Sequence, residues 1–249
     1  MHFETWNDYQ SFSNNVRSKR RYIFDKQTYQ FLKVVAHTSE KRKKFIKKGK
    51  QLWRAQKGHD LTSFKTNTND EISVECPFPS ERMKPQKHRA REGRANPKGI
   101  PFLYLSDDKE TAMSEVRPWL GVVISVALFR INRQISVIDC TSDSPKIFLE
   151  NPPHEERENT VWGYINEAFS VPIENDDDGS EYVPTQILAE LFRDIGFDGI
   201  AYKSMFSKGF NIALFNLDDA IAEKCFLVKT NSLKFEFEDN VSPYNSITY

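Results

Sequence analysis

Residues 94–117 read RANPKGIPFLYLSDDKETAMSEVR, and the rest of the chain is organised around them. The stretch opens with a cation, Arg94, and a turn through Asn96, Pro97 and Gly99. Residues 101–105 form a short apolar strand that carries Tyr104. Ser106, Asp107 and Asp108 make a polar cap, and residues 109–117 have helical character. At about 100° per residue, Ala112, Met113, Val116 and Leu120 fall on one apolar stripe. Glu115 lies at the edge of that stripe. Arg117 is two positions on, faces nearly the other way and cannot neutralise it. Pro118 disfavours helical geometry at Arg117, so the helix should end near there. A carboxylate on the rim of a buried face, with no local partner, is either paired from a distant element or used in chemistry.

Three blocks of sequence carry a family resemblance. Asn96-Pro97-x-Gly99-x-Pro101-x-Leu103-Tyr104-Leu105, followed by Thr111-Ala112-x-x-Glu115, resembles the centre of the RES domain, a family named for its Arg, Glu and Ser. Upstream, Leu52-Trp53-Arg54-Ala55 resembles the family's strand-borne Arg motif. Downstream, Gly196-Phe197-Asp198-Gly199-Ile200-x-Tyr202-x-Ser204, then Gly209-x-Asn211, resembles its Ser motif. The resemblance runs from about residue 49 to residue 229.

That resemblance implies an α+β fold like that of ADP-ribosyltransferases, with mixed or antiparallel sheets around an NAD cleft. NAD would be a substrate and no cofactor would be needed. Glu115 would stabilise a developing ribosyl cation or hold the ribose hydroxyls. Arg54 would bind the pyrophosphate or the ribose phosphate as a charge-assisted donor. Tyr104 would stack nicotinamide or offer its hydroxyl to the ribose, and Ser204 would bind the carboxamide or a phosphate. Arg94 is a second phosphate candidate, and Asn211 would support the loop around Ser204. Trp53 stands where the family usually has Tyr, and Gln56 where a second Arg is common, so the adenosine or phosphate end of the cleft is altered. RES toxins are paired in bacteria with an antitoxin that blocks the site, which implies a regulatory protein partner. The first 48 residues and the long segment before Arg94 exceed the compact toxins.

The residue types suit glycosidic cleavage of NAD. The bond between nicotinamide and ribose breaks through an oxocarbenium-like cation. Nicotinamide leaves neutral, so no strong general acid is required, and one carboxylate beside the ribose can suffice. Ser204 does not fit an acyl-transfer nucleophile: no His lies in the three blocks, and the Gly-x-Ser-x-Gly elbow is absent.

Composition narrows the classes. A chain of 249 residues fits one large domain, or one domain with an appendage. The 19 Phe residues point to an aromatic-rich core. Formal net charge is zero but uneven: residues 1–100 hold 23 Lys and Arg against 10 Asp and Glu, roughly +13, balanced by roughly −13 in residues 101–249. Cys76, Cys140 and Cys225 show no metal spacing and no disulfide framework, which suggests a reducing compartment. No apolar run is long enough to cross a membrane, and residues 1–10 lack a signal-peptide core, which argues for the cytoplasm.

Residues 1–48 read as a basic, mostly helical N-terminal extension that ends in KRKKFIKK at 41–48. That run suits the solvated face of a helix, an acidic partner, nucleic acid or self-association into a homo-oligomer. The catalytic unit would span 49–240, with a polar tail at 241–249. Residues 51–55 are a strand, and 57–100 read as an irregular, polar, cationic loop. Strands are expected at 121–131 and 134–140, helices at 155–169 and from Pro184 to before Gly196, then strands at 199–203, 210–215, 222–229 and 233–237. The acidic run 174–179 lacks the final bidentate Glu of a calcium loop and reads as solvated.

The leading expectation is an enzyme that breaks NAD by phosphorolysis, with phosphate as second substrate, or by hydrolysis, as a toxin or defence-type effector. Two alternatives are transfer of ADP-ribose to a macromolecule and a non-enzymatic nucleic-acid-binding module.

Overall fold

A computed structural model describes residues 1–65, 67, 71–86, 89–142, 144–172 and 179–234. Lys87 and His88 of the cationic loop, most of the acidic run, most of the expected strand at 233–237 and the polar tail lie outside the described residues.

The elements follow in order: α1 (Asp8–Ser18), α2 (Lys26–Ser39), β1 (Lys43–Ile46), β2 (Gln51–Lys57), β3 (Asp60–Lys65), β4 (Glu71–Cys76), β5 (Leu103–Ser106) and α3 (Lys109–Glu115). Then come β6 (Val123–Ile131), β7 (Ile135–Cys140), α4 (His154–Ser170), α5 (Val183–Asp194), β8 (Gly199–Lys203), β9 (Phe210–Leu214) and β10 (Ala220–Lys229). The fold is α+β. Eight strands form one mixed sheet in the order β1-β7-β8-β9-β5-β2-β6-β10, while β3 and β4 pair as a separate hairpin. β7 and β8 run parallel, and the other neighbours are antiparallel.

The connection between β6 and β7 dictates the shape of that sheet. Four strands lie between them in the order, a flat separation of about 24 Å at ~4.8 Å per strand. The four Cα steps from Ile131 to Ile135 reach at most about 14 Å. The sheet therefore folds over on itself. The fold line is the weakest seam, where β2 and β5 share a single register pair, Trp53 with Ser106. Between the two halves lies an apolar layer that includes Leu52, Leu103, Leu105, Phe129, Ile135, Val137, Ile212 and Leu214.

Strand alternation fills the other faces. Ile138, Ile200, Tyr202 and Ala213 point away from that inner layer into a second core, completed by Trp162, Ile165 and Phe169 of α4 and Leu188 and Phe192 of α5. Phe12 and Val16 of α1 and Phe31, Val34 and Val35 of α2 belong to the same core. On the smaller half-sheet, Ala112 of α3 packs with Ala55, Ile124 and Val126.

Several expectations change. The basic run at 43–46 is an edge strand and not a helix face: it pairs with β7 from Lys43–Ile138 to Ile46–Ile135. Pairing satisfies the β7-facing half of its backbone and lets Ile46 pack on the inner core, while lysines on an edge strand discourage further pairing. The polar segment before residue 100 contains the β3–β4 hairpin, with Leu61, Phe64, Ile72 and Val74 all exposed. The helix α3 stops at Glu115, and Arg117 turns the chain with a φ of 45°. Leu120, expected on the apolar stripe, is exposed.

Among the described residues no helix is long and apolar enough to cross a membrane. The three cysteines are free.

Candidate active site

The seam between β2 and β5 opens into a cleft of about 270 Å³, lined by Trp53, Arg54, Tyr104, Ser106, Glu115, Tyr202 and Asn211 among others. Strand alternation explains part of the set. Tyr104 and Ser106 share one face of β5, and Tyr202 and Ser204 sit two positions apart from β8 into its following turn. Helix α3 then delivers Glu115 from above the smaller half-sheet.

The helix is held in place by its start. Asp108 caps it by accepting from the Thr111 amide at 2.9 Å. Gly209 lies against that cap, and a Cβ there would come within 2.4 Å of Thr111, Asp107 and Asp108 side-chain oxygens. Only glycine lets the β8–β9 turn approach α3 so closely. The Phe210 amide donates to Asp107 at 2.9 Å, which fixes the register of the approach.

That approach brings donors to the carboxylate. Glu115 Oε1 accepts from Ser204 Oγ at 2.7 Å and from Asn211 Nδ2 at 2.6 Å. Asn211 is oriented in turn by Ser106, whose hydroxyl donates to its Oδ1 at 2.7 Å. The Phe206 amide donates to Ser204 Oγ at 3.2 Å, and the Ser204 amide donates to the Gly209 carbonyl at 3.1 Å. Ser106, Ser204 and Asn211 are all buried. Both donors to the carboxylate are neutral, and among the described residues nothing binds Oε2. Among the described residues no cation therefore pairs with Glu115, and one oxygen is available to a ligand.

Arg54 stands in the same cleft. Its Nη1 donates to the Tyr104 carbonyl at 2.8 Å, where the β2–β5 ladder has run out. Its Nε is buried and has no partner. Burial draws the guanidinium down to about 10, with Tyr104 acting in the other direction, so it remains charged at neutral pH. Of the described carboxylates, none forms an ion pair with it. A buried cation with an unused donor is costly unless an anion arrives to meet it.

The remaining expected residues divide. Tyr104 contributes its ring to the cleft, but its hydroxyl is turned away: it donates to Asn96 Oδ1 at 2.7 Å and accepts from the Ala95 amide at 3.1 Å. Burial pushes that phenol up to about 12. Trp53 lines the cleft beside Phe226, their ring centroids 6.1 Å apart, with the Lys109 ammonium 5.9 Å from the Trp53 ring. Arg94 does not reach the cleft. Its Nη1 donates to the Phe169 carbonyl at the end of α4, and its guanidinium lies 5.8 Å from the Tyr202 ring, behind the cleft wall. Asn211, expected to support the loop around Ser204, bonds Glu115 directly. Ser106 and Tyr202 had no assigned role, although Ser106 is two positions from Tyr104 and alternation places both on one face. Among the described residues no cluster of His, Cys, Asp and Glu is arranged to hold a metal ion.

Comparison with known proteins bears on the same residues. The model of the RES domain family matches residues 52–237, about three quarters of the chain. A search of the curated proteins finds no match. Among solved structures, the M. tuberculosis MbcT–MbcA toxin–antitoxin complex contains a chain of 15% identity, with a TM-score of 0.41 over 79% of this chain and 92% of that one. That likeness is too distant to bear on residue roles. The family model spans the strand of Arg54, the helix of Glu115 and the turn of Ser204, and the chain belongs to the RES domain family.

Proposed function

We propose that this chain cleaves the bond between nicotinamide and ribose in NAD. The observation that carries the reading is the pairing of opposites in one cleft. A buried guanidinium with an unused Nε and no ion pair shares the cavity with a carboxylate that neutral donors orient and no cation quenches. NAD carries the matching pair, an anionic pyrophosphate and a ribose that becomes cationic as the bond breaks.

In this reading Arg54 takes a pyrophosphate oxygen as a charge-assisted donor. The C1′–N bond of the nicotinamide ribose lengthens, and its electron pair passes to the pyridinium nitrogen, so nicotinamide leaves neutral. Positive charge grows on C1′ and the ring oxygen, and Glu115 faces it. Phosphate then adds to C1′ to give ADP-ribose phosphate, or water adds and gives ADP-ribose with loss of one proton. Ser204 and Asn211 keep the carboxylate aimed without neutralising it. The rings of Tyr104, Tyr202 and Trp53 supply flat surfaces for nicotinamide. A cleft of about 270 Å³ encloses the reacting end of a dinucleotide and leaves adenosine toward solvent.

A role as a toxin or defence-type effector, held in check by a partner protein over the cleft, is what the family resemblance implies. The test is direct. Pure protein is incubated with NAD, with and without phosphate, and the products are identified by mass. Free nicotinamide with ADP-ribose, or with its phosphate, supports the reading. ADP-ribose appearing on a protein or nucleic acid instead would move the activity to transfer. Intact NAD at high enzyme concentration would overturn it.

A further inference from the structure

A second cavity lies on the opposite side of the same strands and takes no part in the proposed reaction. It encloses about 390 Å³ between the β1 edge, the turn into β2 and the inner face of the sheet. Its floor is apolar: Leu52, Val137, Ala201, Phe210 and Ile212. Several of these residues adjoin a residue of the cleft in sequence. Ala201 precedes Tyr202, and Phe210 and Ile212 flank Asn211. Because side chains alternate across a strand, the two cavities lie back to back, one backbone layer apart.

The mouth has a charge pattern of its own. Lys44, Lys47 and Lys50 line it together with one carboxylate, Asp139. Asp139 is fully engaged: it takes Lys44 Nζ at 2.5 Å, the Thr141 amide at 3.0 Å and Ser142 Oγ at 2.8 Å. Lys44 and Asp139 thus cancel. Lys47 and Lys50 are exposed, and neither forms an ion pair among the described residues. The pocket therefore has an apolar floor and two unpaired positive charges at its mouth. Phe45, 62% exposed, extends the apolar wall outward.

Those features select one ligand chemistry. An inorganic anion would satisfy the lysines and leave the floor unused. A neutral apolar molecule would fill the floor and leave the lysines unused. The volume falls in the ordinary range of small-molecule sites. We propose that this cavity binds a free long-chain carboxylate, its tail against Ile46, Ala201 and Phe210 and its head between Lys47 and Lys50. This inference does not depend on the NAD reading.

Calorimetric titration of the full chain with hexanoate, octanoate, decanoate and dodecanoate tests it, at concentrations below micelle formation. Binding at one site is expected, tightening about three- to fourfold with each added methylene. Lys47→Glu combined with Lys50→Glu should weaken dodecanoate about tenfold, and added salt should do the same in part. Both lysines are exposed, so the double variant should fold. Ala201→Leu narrows the floor and should weaken the longer acids more than hexanoate. Affinity that ignores chain length, a double charge reversal without effect, or dodecanol binding as tightly as dodecanoate would each overturn the proposal.

Discussion

Glu115 and Asp198 are both carboxylates held by side chains from neighbouring elements of one folded sheet, but their partners differ in kind. Asp198 accepts from Arg133 Nη2 at 2.7 Å and from the Ser136 amide at 2.7 Å. The same guanidinium donates to Asp219 through Nε and Nη2, each at 2.8 Å. One cation thus ties the β6–β7 link, which joins the two halves of the folded sheet, to the start of β8 and to the turn before β10. Charges there are matched, and Arg133 is held above its ordinary range by both aspartates. At Glu115 the donors are a hydroxyl and an amide, and the cation in the same cleft forms no ion pair. Matched charge holds a fold closed. Separated, oriented charge holds a place for something that is not yet there.

The largest expected effect tests the unquenched carboxylate. Glu115→Gln keeps an oxygen for Ser204 and Asn211 and places its amide where Oε2 has no partner. Turnover of NAD should fall by about 10²–10⁴, or roughly 3–5 kcal/mol of barrier. The melting temperature should hardly move, and NAD binding should change much less than the rate, because the ground-state ribose lacks the positive charge that develops. A variant that melts like the parent and still consumes NAD at a similar rate would place Glu115 on the structural side of the comparison.

Arg54→Ala comes next. Pyrophosphate is charged before and during reaction, so both binding and turnover should suffer, with kcat/KM down about 10–100-fold. Stability should change little, because the Tyr104 carbonyl loses its donor while a buried guanidinium with an unpartnered Nε is removed. Clear destabilisation with unchanged NAD binding would break the assignment.

Arg133→Ala should show the reverse pattern. It strands Asp219, which is 2% exposed, and removes the main partner of Asp198. Because Arg133 is half exposed, we expect a loss of about 1–3 kcal/mol by urea denaturation. The kcat of the folded fraction should be retained. The acid limb of stability gives a second reading. Burial pushes the Asp198 carboxyl up, but Arg133 and the Ser136 amide outweigh it and hold it below the usual range. Its contribution is therefore present above the unfolded value of about 3.9 and is lost as pH falls through the lower folded value. In Arg133→Ala that acid-dependent loss should shrink, whereas Glu115→Gln should leave it in place.

How much of this could be read from sequence follows from where the information lies. The meeting of Arg54, Tyr104, Glu115 and Ser204 around one cleft is legible because each sits in a compact block with a turn or cap of its own, and those blocks carry the family pattern. Helix α5, with Pro184 at its start and Gly196 past its end, was legible for the same local reason. What depends on distant contacts was not. The basic run at 43–46 looks solvated until β7 arrives to pair with it. The β3–β4 hairpin buries little on either face, so it leaves no period-two signal. Arg94 opens the most telling stretch of sequence, yet the end of α4, some 75 positions away, draws it off the cleft.

Tyr104 belongs to both halves of the comparison and gives the smallest expected effect. Its ring lines the cleft, while its hydroxyl is spent on the turn that begins the central stretch: it donates to Asn96 and accepts from the Ala95 amide. The turn is closely built around that hydroxyl, since a Cβ on Gly93 would lie 2.9 Å from it and 2.8 Å from Asn96 Oδ1. Tyr104→Phe keeps the ring and deletes the oxygen. Asn96 Oδ1 then loses its donor and the Ala95 amide its acceptor, at a cost of about 1–2 kcal/mol in denaturation. NAD turnover, measured on folded protein, should stay within about threefold, because a substrate that meets only the ring loses no contact. A tenfold loss of rate with little loss of stability would mean that the hydroxyl swings from Asn96 to the ribose when NAD binds, and the turn would then be a resting place for a catalytic group.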